Sequence, residues 1–112
     1  MAIPMFQKRE VVAGSAPDLP FDFTYDDDNT PRDVSGDTVV LSVYSDGAAR
    51  TLLFPAVTAT NDGTLTNRKI VTLTTSNTAQ ANIGAYYAEL DRKVAGVVKE
   101  RWVGTLVIAG PR

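Results

Sequence analysis

Asp26, Asp27, Asp28 and Asn29, with Asp33 and Asp37 shortly after, form the one group in this chain whose types and spacing could hold an ion. Clustered carboxylates beside an amide present the hard oxygen donors that calcium takes. An EF-hand loop needs alternate-position ligands, a glycine at its sixth position and a closing glutamate. Counted from Asp26 the sixth position is Pro31, and no glutamate closes the loop. The favoured reading is a solvated hairpin turn made of the Asp, Asn, Thr and Pro that turns prefer; a looser, structural calcium site over Asp26 to Asp33 is the alternative.

Paired carboxylates could also serve glycoside hydrolysis, which needs two acids about 5 to 10 Å apart across a cleft, one with a raised pKa. Acids within one turn are too exposed for that, and Glu89, Asp91 and Glu100 are expected on outward strand faces. Histidine and cysteine are both absent. That removes the usual proton-transfer group near neutral pH, thiol catalysis, thiolate metal sites and disulfides together. The chain has no Gly-rich phosphate loop, Gly-x-Ser-x-Gly elbow or Cys-x-x-Cys. The expectation is a chain without catalytic residues, metal or cofactor.

The elements around these residues read as strands. Phe21, Phe23 and Tyr25 alternate with Asp22 and Thr24, and Val39, Leu41 and Val43 alternate beyond the acidic turn. Seven strand-like segments are expected near residues 7–13, 19–25, 37–44, 51–57, 68–75, 84–91 and 98–108, spaced as in an antiparallel sandwich. Asp46-Gly47 and Asp62-Gly63 are expected to turn the chain through positive φ, and Val94-Ala95-Gly96 to make a short hairpin. Ser76 to Ile83 departs from strand rhythm and predicts one short helical crossover, with Ser76 as its cap. Tyr86 then opens a strand, as does the tyrosine that bonds back across the preceding turn in immunoglobulin-like sandwiches. In the last segment Trp102 is expected to share a face with Val98, Glu100, Gly104, Leu106 and Ile108. Trp102 itself reads as a core or rim residue, and Gly104 predicts a bulge or a close backbone approach.

The fold class is therefore all-β: an immunoglobulin-like antiparallel sandwich of about seven strands. One domain of residues 18–112 is expected, preceded by an extended arm or edge strand over residues 1–17. With 11 basic and 13 acidic residues and a net charge of -2, the chain has no basic field to draw nucleic acid. No apolar run approaches the roughly 20 residues that span a bilayer, and the N-terminus lacks the regions of a signal peptide, so neither a membrane partner nor export is expected. Charges of alternating sign, Lys8-Arg9-Glu10, Asp91-Arg92-Lys93 and Lys99-Glu100-Arg101, suit cross-strand pairs. Candidate interface residues are Ile3, Met5 and Phe6, which precede any core pattern that could use them, and Tyr87, an outward tyrosine beside alternating charge.

Several of these elements occur together in a known setting. A Gly14-containing lead into Leu19-Pro-Phe-Asp-Phe is followed by an acidic turn ending Arg32-Asp-Val-Ser-Gly36 and the strand Thr38-Val-Val-Leu-Ser-Val43. Then come Ile70-Val-Thr-Leu-Thr74, the Thr78-to-Tyr86 crossover and a closing Gly104-Thr-Leu-Val107. In this order they resemble the immunoglobulin-like sandwich of virion proteins of tailed bacteriophages, especially the N-terminal domain of baseplate upper and tail-fibre adaptor proteins. The resemblance implies a non-enzymatic, multi-copy building block assembled in the host cytoplasm and residing in the virion. Its partners would be other virion structural proteins or copies of itself. Because the chain ends at Pro111-Arg112, where such domains lead into a fibre, non-covalent attachment in the tail, baseplate or fibre region is expected. A capsid decoration protein and a carbohydrate-binding module are the alternatives.

Overall fold

The computed structural model describes residues 6, 8–25 and 30–110. Its nine strands are β1 (Arg9–Val12), β2 (Asp18–Asp22), β3 (Thr38–Asp46), β4 (Thr51–Leu52), β5 (Val57–Thr58), β6 (Thr60–Asn61), β7 (Arg68–Thr72), β8 (Gly84–Val94) and β9 (Val97–Ala109). They form two sheets, one ordered β1-β9-β8-β3-β4 with β5 also on β3, the other ordered β2-β7-β6. The period-two pattern explains the pairing of the faces. Leu19, Phe21 and Val71 from the smaller sheet meet Val39, Leu41, Val43, Ala88, Leu90, Leu106 and Ile108 from the larger, all buried in one core. The chain is an all-β sandwich with immunoglobulin-like strand order.

The structure departs from the expected pattern in several places. β1 runs parallel to β9, Arg9 opposite Leu106 and Val12 opposite Ala109, so the sandwich is not wholly antiparallel. The expected strand 51–57 is split into β4 and β5, because Phe54 turns into the core and Pro55 has no N–H to give to a ladder. β6 was not expected. The chain changes sheets at the buried Ala59, between β5 on β3 and β6 on β7. The crossover is a single 3-10 turn, Gln80–Asn82, and Ser76 does not cap it. Asn77 instead accepts the Thr74 N–H through Oδ1, and its own N–H bonds Thr74 Oγ1, closing the chain before the turn begins. Lastly, the Asp-Gly steps do not use positive φ. Asp46 accepts the Ala48 and Ala49 amides, and Asp62 those of Thr64 and Leu65, so the aspartate side chain builds each turn.

Other expectations hold. Tyr86 donates its hydroxyl to the Asn82 carbonyl at 2.8 Å, the corner anticipated from its position. The β8–β9 hairpin turns through Ala95 and Gly96 at φ 52 and 80, the two left-handed residues of a type I′ turn. Lys99 is an extra residue in this hairpin, since Arg92 faces Glu100 but Lys93 faces Val98. That bulge turns Val98 off the face of Trp102, where uninterrupted alternation had put it. Gly104 marks a close approach. A Cβ there would overlap the Phe6 ring.

Candidate functional site

Alternation along β8 sends Tyr86, Ala88 and Leu90 into the core and Tyr87, Glu89 and Asp91 to the opposite face of the larger sheet. Outward did not mean solvated. Glu89 is 2 % exposed and Asp91 8 %. The cover comes from neighbours on the same face. Tyr44, opposite Tyr87 on β3, donates its hydroxyl to Glu89 Oε1 at 3.2 Å, and Tyr87 donates to Oε2 at 2.7 Å. From the loop after β3, Arg50 donates to both Glu89 oxygens, at 3.1 and 2.8 Å, and to the Tyr44 hydroxyl at 2.7 Å. Its guanidinium lies 4.8 Å over the Tyr44 ring. On β9, Arg101 forks onto Asp91, which faces it directly, at 2.7 and 2.9 Å.

Arg50 reaches Glu89 from a left-handed backbone, φ 55, a conformation a non-glycine residue holds only when its surroundings fix it. The network sets the charges firmly. Hydrogen bonds from Arg50, then from Tyr87, together with the Arg101 charge, outweigh burial and pull the Glu89 carboxyl from 4.5 to about 2. Arg50 and Arg101 are raised in turn, chiefly by their hydrogen bonds to Glu89 and Asp91. The face is a closed set of ion pairs with the exposed ring of Tyr87 at its edge, 40 % accessible.

A second chain of charges closes one end of the sandwich. Glu100 accepts from Arg32 at 2.5 Å and Arg92 at 2.7 Å, and Arg92 reaches Asp37 at 2.9 Å. Lys69 points inward opposite Phe21 and is buried, its Nζ donating to the Asp37 carbonyl and Asn61 Oδ1 at 2.7 and 2.5 Å. Burial pushes its pKa down. Sequence reasoning missed this lysine, although a charged residue at an inward position of an alternating strand was a signal for it.

The chain matches no protein-family model and no curated protein.

The expected site residues fall in different places. Ile3 and Met5 lie outside the described residues, as do Asp26 to Asn29 of the acidic turn. Of the acids beside them, Asp33 accepts the Ser35 amide and hydroxyl, and Asp37 takes Arg92. Among the described residues no three His, Cys, Asp or Glu side chains stand together as a metal site. Phe6 is used by its own core. Its N–H bonds the Val103 carbonyl at 2.8 Å, and its ring meets Phe21 edge-on at 5.7 Å. The premise that no core pattern could use Phe6 is thereby corrected, because Gly104 leaves the space it fills. Of the three acids expected on outward strand faces, Glu89 and Asp91 do face outward, and Glu100 is corrected to the inner side because it pairs with Arg92 on the face of Leu90 and Trp102. The first two are buried beneath tyrosine and arginine, and Glu100 is half-buried on the inner side of β9.

Beside Phe6 a cleft of about 230 Å³ opens between the two sheets, lined by Phe6, Phe21, Phe23, Leu90 and Trp102 with Arg9, Asp22 and Thr24. Trp102 meets Phe23 edge-to-face at 5.2 Å, which places it at the rim of the core.

Proposed function

We propose that this chain is a non-enzymatic structural protein of a tailed-phage particle, a β-sandwich brick present in several copies that joins neighbouring virion subunits in the tail, baseplate or fibre-attachment region. The observation that carries the reading is the outward face of the larger sheet. Its acids are paired off with arginine and tyrosine, and Glu89 is held near pKa 2, the opposite of the raised value a proton donor near neutral pH requires. Such a network fixes a patterned surface rather than poising a reactive group. Tyr87 at its margin is the anchor this reading assigns to a neighbouring subunit.

The edges support the same reading. β1 pairs only with residues 106–109 of β9, and Phe6 adds one bond at Val103. Residues 97–102 thus have no strand on that side among the described residues, with Val97 and Val98 exposed. A sheet edge is where a neighbouring subunit can add a strand, which is the contact this reading calls for. Light scattering on the purified chain tests the multi-copy element: a mass at a defined multiple of 12.0 kDa is expected. A chain that stays at 12.0 kDa at every concentration and does not co-sediment with purified particles would overturn the proposal.

A further inference from the structure

We propose that the cleft between the sheets binds a single neutral pyranose ring of a glycan. The site is distinct from the ion-pair face, and the inference does not depend on the virion reading. Size sets the first limit. At about 230 Å³ the cleft falls below the roughly 300–1,000 Å³ of sites for drug-sized ligands, so it suits one ring.

The lining chooses the chemistry of that ring. Phe21 and Phe23 are buried, whereas Phe6 and Trp102 are half-buried, so theirs are the rings a ligand can reach. Electron-rich aromatic faces attract the positively polarised C–H groups on one side of a pyranose. The polar rim carries both signs of charge. Arg9 lies 4.4 Å over Phe21 and gives one N–H to the Pro20 carbonyl; Asp22 is gripped by Arg68 at 2.6 and 3.0 Å. An anion would face Asp22, a cation would face Arg9 and Arg68, and a wholly apolar group would strip water from all three. A neutral ring with hydroxyls on its edge satisfies the rim instead. The guanidinium offers donors, each carboxylate oxygen keeps lone pairs beyond its bond to Arg68, and the Thr24 hydroxyl can do either. The ion pairs also hold these groups in place before a ligand arrives.

Trp102 is the sole tryptophan, so its fluorescence reports this cleft alone. The test titrates the full chain with methyl glucoside, galactoside and mannoside and with N-acetylglucosamine, with phenol as an apolar ring. The expected result is a saturable change in Trp102 emission for at least one sugar, with Kd on the order of millimolar, and protection of Trp102 from acrylamide. Thr24→Val, at an exposed position outside the ion pairs, should weaken that sugar about fivefold, and Asp22→Asn about tenfold or more. Urea midpoints check that both variants are folded. No saturation with any sugar would overturn the proposal, as would saturation by phenol alone, which would make the cleft a seat for an aromatic side chain. Presence or absence in particles bears on the virion reading only, so the two can fail separately.

Discussion

Replacing Glu89 by glutamine removes the charge at the centre of the outward network while keeping its shape. The wild-type carboxyl falls from 4.5 to about 2 on folding, and at 1.36 kcal/mol per unit that is about 3 kcal/mol of stability. Glu89 is 2 % exposed, but the Arg50 side chain that chiefly holds it is 51 % exposed, so solvent screening makes about 3 kcal/mol the upper end. The folded pKa is depressed, so the stabilisation is fully present above about pH 5 and is lost as pH falls toward 2. Urea unfolding of the wild type and Glu89→Gln at pH 7, 5, 4, 3 and 2 measures this directly. The variant should be about 2–3 kcal/mol less stable at pH 7, a large share of the roughly 5–15 kcal/mol of a typical domain. The gap should shrink below about 0.5 kcal/mol at pH 2, where half the wild-type carboxyls are protonated. A gap that stays constant with pH, or one under about 1 kcal/mol at pH 7, would refute the account of the network.

Gly104→Ala drives a methyl into the Phe6 ring and should cost about 1–3 kcal/mol; in a Phe6→Ala background most of that cost should vanish, a coupling read from a double-mutant cycle of urea midpoints. Tyr86→Phe deletes the bond to the Asn82 carbonyl and should lower stability by about 1 kcal/mol, measured as a fall of several degrees in Tm. Ala95→Gly relieves a left-handed alanine at φ 52 and should raise Tm, with a gain of about 1 kcal/mol; an unchanged or lower Tm would contradict the turn assignment.

The sandwich was legible because one face of each strand is buried and the period is two: Leu19 and Phe21, Val39 to Val43, and Leu106 and Ile108 all point where alternation sends them. Tyr86 was legible for a different reason, its place just after a non-strand crossover. The parallel docking of β1 was not, since four residues with one buried position, Val11, do not specify the direction of a partner. Nor was the burial of Glu89. Tyr87-Ala-Glu-Leu-Asp91 reads as a half-solvated strand, and the side chain that covers Glu89 is Arg50, 39 residues earlier, in a loop whose conformation propensity would assign to glycine. Phe6 was misread because its receptor is an absence, the missing side chain of Gly104 almost a full chain length away. Local pattern carries the elements. Long-range complementarity of charge and shape carries the site.

Quantitative mass spectrometry of phage particles purified from lysates of cells that carry the gene for this chain tests the proposed virion role most directly. The account predicts peptides of the chain in the particle at a fixed stoichiometry to the other tail or baseplate subunits, retained through density-gradient purification. Peptides confined to the lysate and missing from the particles would contradict it.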